Sequence, residues 1–167
     1  MSEIKVIENS LSKENLQIIK NLFFSDHFPW FYNSGINFRN DSFFQFTHVF
    51  YSQFTINSPH FITLKPIIDL LDPLSILRIK ANFLTKTNTI IKHGFHTDEP
   101  WKGKTAIFYV NTNNGFTEFE NGYKSSSEEN KLIVFDNFIN HTGTSCTDKN
   151  ERIVINFNYV EKKINNV

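Results

Sequence analysis

From Leu74 to Val160 the apolar residues repeat with a period of two rather than the 3.6 of a helix. No other feature limits so strongly what this chain can fold into. In Leu77-Arg78-Ile79-Lys80-Ala81-Asn82-Phe83 apolar and polar side chains alternate without a break, the pattern of a strand with one buried face. Similar segments run over 90–98, 105–111, 117–120, 132–136 and 152–160, separated by Asn-, Gly- and Ser-rich turns at 85–88, 111–115, 121–130 and 146–150. Short strands joined by such turns predict antiparallel sheets closed into a sandwich or barrel.

Residues 1–73 read as helix and loop. Ser12 is placed to cap a helix whose Leu16, Ile19, Leu22 and Phe23 share one face, at the 3.6 spacing. Phe28-Pro29-Trp30-Phe31-Tyr32 is an aromatic turn. Ser58-Pro59 starts a second helix with Leu64, Ile67, Ile68 and Leu71 on its apolar face. Pro66 should kink or shorten it, and Asp72-Pro73 should end it. The expected architecture is mainly β, a jelly roll over 74–160 with N-terminal helices packed on one sheet. With 167 residues, one domain with one core is the natural size.

Composition narrows the function. Lys plus Arg is 17 and Asp plus Glu is 17, so no excess cation draws nucleic acid to the whole surface. The single cysteine, Cys146, makes no internal disulfide and no thiolate cage, so any metal must be held by His and carboxylate. The first ten residues lack the apolar stretch of a secretory signal, and no apolar run approaches the roughly 18 residues that cross a bilayer. A cytoplasmic location away from membranes is expected.

His96-Thr97-Asp98 carries the chemistry. On a strand, residues two apart share a face, so imidazole and carboxylate can converge. His141, following the 132–136 strand, is a third donor. Two histidines and a carboxylate form the ligand set of non-haem Fe(II) oxygenases, although zinc accepts it too. Arg152 opens the last strand, with ten residues between it and His141. An arginine directed into an apolar barrel calls for an anionic partner, and a guanidinium grips a carboxylate with two parallel hydrogen bonds.

This order, His-x-Asp, a distal His, then Arg, resembles the 2-oxoglutarate/Fe(II)-dependent dioxygenase superfamily. The small, single-domain prolyl 4-hydroxylase-like branch of bacteria and phages is most similar. Ala106-Ile107-Phe108-Tyr109-Val110-Asn111, Gly115-Phe116-Thr117-Glu118-Phe119 and Leu132-Ile133-Val134-Phe135-Asp136 look like three of its core segments. The resemblance implies a double-stranded β-helix with Fe(II) on His96, Asp98 and His141. It implies 2-oxoglutarate as cosubstrate, with its far carboxylate on Arg152, a hydrogen bond from Tyr109, and help from Asn82. Dioxygen would be the oxidant, ascorbate a candidate reductant, and succinate and carbon dioxide the coproducts. The acceptor would be a C–H bond of a prolyl or other peptidyl residue, a free amino acid or another small metabolite. Halogenating relatives carry a small residue where Asp98 stands, so Asp98 implies hydroxylation.

Other readings weigh against these. His93, an odd number of residues from His96, is expected at the rim or surface, and His27, His48 and His60 in structural roles. Trp30 and Trp101 belong to the core or a substrate cleft. Nucleic-acid demethylases of the superfamily have Asn and Arg where this chain has Val154 and Asn158. A cupin-like metal-binding jelly roll without 2-oxoglutarate-dependent activity is the main alternative, but cupins usually offer His-x-His plus Glu and no dedicated arginine.

Overall fold

The computed structural model describes residues 3–37, 42–98 and 102–162; Trp101 lies outside them. Strands β1 (Lys5–Ile7), β2 (Phe31–Asn33), β3 (Gln45–Ser52), β5 (Pro73–Thr85), β6 (Lys104–Tyr109), β9 (Leu132–Asp136) and β11 (Glu151–Glu161) form an antiparallel sheet in the order β1-β9-β6-β11-β5-β3-β2. A short β4 (Thr55–Ile56) pairs with β3. A second sheet contains β7 (Phe116–Phe119), β8 (Lys124–Ser126) and β10 (His141–Gly143), in the order β10-β7-β8. The protein is mainly β, as its sequence pattern requires.

Helix α1 (Lys13–Phe23) starts where expected, with the Ser12 hydroxyl accepting from the Asn15 backbone N–H at 3.3 Å. The second helical segment has two parts, a 3-10 turn at Pro59–Leu64 and α2 (Lys65–Leu71). Pro66 occupies the first turn of α2, where it lacks no needed donor. Asp72 then takes a left-handed conformation, φ 41°, and the chain turns into β5.

The alternation in β5, β6, β9 and β11 divides two cores. Ile79, Ala81, Phe108, Ile153, Ile155 and Phe157 cluster with Ile19, Phe23, Leu64 and Ile67 of the helical segments. The opposite face carries Ile107, Tyr109, Ile133, Phe135 and Val154, which meet Phe119 of the second sheet. Polar exceptions on this inner face, among them Arg78, Asn82, Arg152 and Asn158, mark the site.

Two local expectations fail. The N-terminal part is not merely helix and loop, because it supplies β1 to β4. Residues 90–98 do not form a continuous strand; they make only isolated bridges, Lys92 with Thr144 and His96 with His141. The local alternation is present, but β10 is only three residues long and offers too short an edge to pair along it.

Candidate metal and anion site

The backbones of His96 and His141 exchange two hydrogen bonds of 3.0 Å. This places both imidazoles on one side, with ring centroids 4.7 Å apart. His141 Nδ1 lies 3.0 Å from the Ile139 carbonyl and His96 Nδ1 3.3 Å from that of Gly94. A carbonyl only accepts, so each Nδ1 carries the proton and each Nε2 keeps its lone pair. Those Nε2 atoms stand 3.8 and 3.9 Å from the Asp98 carboxylate oxygens. Donor atoms of all three residues lie within 4.8 Å of one another. Burial, His141 and the Lys80 charge together hold the His96 pKa below its ordinary value, against the opposing pull of Asp98 and the Gly94 carbonyl.

Asp98 is fixed from behind. Its Oδ2 accepts from the Thr105 hydroxyl at 2.8 Å and the Asn158 amide at 3.0 Å. The same Asn158 nitrogen donates to Thr105 at 3.0 Å, while its oxygen accepts from Arg78 Nε at 3.1 Å. Arg78 also lies 3.7 Å from Asp98 Oδ1. Burial pushes the Asp98 carboxyl upward, but His141, the Thr105 hydroxyl, Arg78 and the Asn158 amide outweigh it and hold the group below the usual carboxylate value. Asp98 therefore stays ionised with Oδ2 occupied, leaving Oδ1 for a cation. Arg78, Thr105 and Asn158 were not among the expected site residues; the inward parity of their strands was the only sequence signal.

Arg152 is 2% exposed. Its Nε donates to the Ser127 hydroxyl at 2.8 Å and its Nη2 to Thr117 at 3.3 Å. The guanidinium carbon lies 5.8 Å from the centre of the Tyr109 ring. Among the described residues no carboxylate pairs with it. Burial lowers its pKa, yet a guanidinium remains charged at any physiological pH. A buried cation held by neutral partners is costly unless an anion joins it. Gly115 leaves room for it, since a Cβ there would stand 2.7 Å from Arg152 Cδ.

One cavity is lined by His96, Asp98, His141, Arg152, Thr117 and Asn82, among others. Five of the six expected residues thus share it. Tyr109 is the sixth. It is wholly buried in the inner core, and its hydroxyl donates to Thr117 at 2.9 Å. Tyr109 reaches Arg152 through Thr117 and through its ring. His93 departs from expectation: it is 5% exposed and lines the same cavity as His96, because 92–96 form no continuous strand that would hold side chains on opposite faces. His48 has the structural role expected, with its ring nitrogens 2.7 Å from the Pro29 carbonyl and 2.8 Å from the Ser58 hydroxyl.

Two imidazoles and one carboxylate with their lone pairs turned together suit a divalent cation, and a buried guanidinium nearby, without a carboxylate of its own, suits an anion. Zinc and ferrous iron both accept the first group; the second is what a dicarboxylate cosubstrate requires.

No protein-family model matches the sequence, and no curated protein matches it. Solved structures do match. A prolyl hydroxylase from Trichoplax adhaerens, in complex with a hypoxia inducible factor peptide fragment, aligns with TM-score 0.68 and 15% identity over 95% of this chain and 83% of its own. A 2OG-Fe(II) oxygenase family oxidoreductase from Burkholderia pseudomallei aligns with TM-score 0.66 and 12% identity, covering 94% of this chain and 85% of that one. A viral collagen prolyl hydroxylase from Paramecium Bursaria Chlorella virus-1, in its 2-oxoglutarate complex, aligns with TM-score 0.56 and 12% identity over 96% of each chain. The chain shares the jelly-roll fold of these oxygenases. Among the described residues no helix is long and apolar enough to cross a membrane.

Proposed function

We propose that this chain is an Fe(II)- and 2-oxoglutarate-dependent dioxygenase that hydroxylates a C–H bond of a small-molecule or peptidyl substrate. The observation that carries the reading is Arg152, a buried cation without a carboxylate partner among the described residues, on the cavity that also holds His96, Asp98 and His141. A cupin-like metal protein has no use for such an arginine.

The residues fit the cofactors. His96 Nε2, His141 Nε2 and Asp98 Oδ1 would hold ferrous iron, and the remaining coordination positions would be left to cosubstrate and dioxygen. Arg152 would bind the far carboxylate of 2-oxoglutarate, with the Thr117 hydroxyl beside it and Asn82 as a further polar contact. Tyr109 positions this anion site through Thr117. Bound together, iron and 2-oxoglutarate supply the activation of dioxygen, one oxygen atom entering the substrate C–H bond and the other entering succinate as carbon dioxide leaves. Ascorbate is a candidate reductant for the metal. Thr105, Asn158 and Arg78 hold the Asp98 carboxylate still during turnover, and the apolar wall of Ile107, Leu84 and Val154 keeps bulk water from the cosubstrate. Zero formal net charge supports a substrate other than nucleic acid.

The test is anaerobic addition of Fe(II) and 2-oxoglutarate to the full chain. A weak visible metal-to-ligand charge-transfer band is expected, followed on admission of air by succinate formation. Absence of both would end the proposal.

A further inference from the structure

Iron and 2-oxoglutarate would share a cavity of about 70 Å³. One water needs about 10–15 Å³ on this measure, so the cosubstrate alone would fill it, and the bulk of a substrate must lie beyond. A second cavity, of about 150 Å³, adjoins the first and has Ile36, Leu84 and His93 in common with it. Two larger hollows, one beside Ile68 and Asp72 and one beside Pro29 and His48, share no lining residue with the metal cavity.

The chemistry of this second cavity differs from that of the first. Among the described residues no Lys, Arg, Asp or Glu lines it. Its hydroxyls at Thr87 and Ser145 are spent on the protein. Thr87 donates to the Thr89 carbonyl at 2.7 Å, so its contact of 2.6 Å with Ser145 is one in which Ser145 donates. Ser145 Oγ also accepts from the Ile91 N–H at 2.9 Å, and the Ser145 N–H donates to the Ile91 carbonyl at 3.0 Å. These bonds hold that wall in place before any ligand arrives. Phe43 stands edge-on to the His93 ring at 5.2 Å, and Phe44 packs on Tyr32 at 5.9 Å. Both rings keep exposed apolar surface, which an apolar ligand would remove from water.

Apolar cavities of about 150 Å³ accept benzene. Resting on the oxygenase reading, we propose that the primary substrate carries an aromatic or branched aliphatic group of that size, which seats against Phe43, Phe44, Leu84 and Ile91 and brings a neighbouring C–H bond to the metal. The shared wall supports this placement: His93 belongs to both cavities and stands three residues before His96. A substrate whose side chain is small or charged would find no matching partner there.

The experiment uses the full chain with Fe(II) and 2-oxoglutarate. Toluene is the binding probe, titrated anaerobically by ligand-observed NMR. It is expected to bind, and Ile91→Phe, which fills the cavity, should weaken it by roughly tenfold. The visible band should still form in that variant, showing it folded and loaded. Phe44→Ser, at the exposed rim, should weaken toluene as well and serves where the filled cavity unfolds the chain. For turnover, L-phenylalanine and L-leucine are offered beside L-serine and L-aspartate, each free and as its N-acetyl amide. The apolar pair should raise succinate formation above the polar pair, and Ile91→Phe should erase the difference. Toluene binding that both variants leave unchanged, or succinate raised as much by the polar compounds, would overturn the apolar assignment while the oxygenase reading stands. Failure to form the band or any succinate would remove both.

Discussion

Asn158 bridges Asp98 and Arg78: its amide nitrogen donates to Asp98 Oδ2 at 3.0 Å while its oxygen accepts from Arg78 Nε at 3.1 Å. With the Thr105 hydroxyl it occupies Oδ2 and leaves Oδ1 for a cation. In Asn158→Leu the carboxylate keeps only the Thr105 hydroxyl on Oδ2, and Arg78 loses this acceptor. Partners behind a metal ligand are typically worth 10–100-fold in affinity. Co(II) titration should show a loss of about that size, whereas Thr105→Val, which removes one donor and leaves the Asn158 pair, should cost less. Equal affinities for wild type and Asn158→Leu would show that Asp98 needs no such support.

Arg152 makes a prediction with two opposite signs. Removing a charged hydrogen bond to the cosubstrate costs about 1.5–3 kcal/mol, so Arg152→Met should weaken 2-oxoglutarate binding by roughly 10- to 150-fold. The same change removes a buried cation that neutral Ser127 and Thr117 solvate. Without 2-oxoglutarate the variant should be no less stable than wild type. Thermal melts with and without 2-oxoglutarate separate the two effects. A variant that melts several degrees lower in both conditions would make Arg152 a structural residue.

His96, Asp98, His141 and Arg152, which the structure brings to one cavity, could be singled out because the His-x-Asp spacing and the order along the chain mark them. Asn82 entered through the resemblance to the oxygenase superfamily, not through a local pattern that set it apart on β5. The supports of Asp98 were not: Arg78, Thr105 and Asn158 come from β5, β6 and β11 and meet only through register, Asn158 lying opposite both Arg78 and Thr105. Register depends on pairing between distant segments, which local pattern does not contain. Strand β3 could have been found, since Phe46-Thr47-His48-Val49-Phe50-Tyr51 is rich in aromatic and β-branched residues. Its surrounding helices and aromatic turn drew the reading away. In 90–98 the error ran the other way, where alternation existed but the partner strand was too short.

Gly115 provides a steric test of the anion site. An added Cβ would lie 2.7 Å from Arg152 Cδ, 2.8 Å from Asn113 Oδ1 and 2.8 Å from the Ser145 carbonyl oxygen. The first two could shift; the Ser145 backbone is tied to Ile91 at 3.0 Å. Gly115→Ala should therefore lose about 1–3 kcal/mol of stability and also weaken 2-oxoglutarate binding by displacing the guanidinium. Urea unfolding and 2-oxoglutarate titration check the two parts. A fully stable variant with unaltered binding would contradict the packing around Arg152.

His48 sets a pH dependence remote from the metal. It is 4% exposed, between the Pro29 carbonyl and the Ser58 hydroxyl. Burial lowers its pKa, the Pro29 carbonyl opposes this, and His60 adds to the lowering. The unfolded chain therefore takes up a proton near pH 6.5 before the folded one does. Stability linked to His48 is fully present above that pH and is lost as the pH falls through the interval down to the lowered folded value. His48→Gln removes the titration while keeping a polar side chain of similar reach. The variant should be less stable than wild type at pH 7.5, and the gap should narrow by pH 5. His96 shifts in the same direction but is common to both proteins, so it drops out of the difference. Urea unfolding of both at several pH values gives the comparison, and a gap that stays constant or widens on acidification would show that His48 does not titrate as its burial requires.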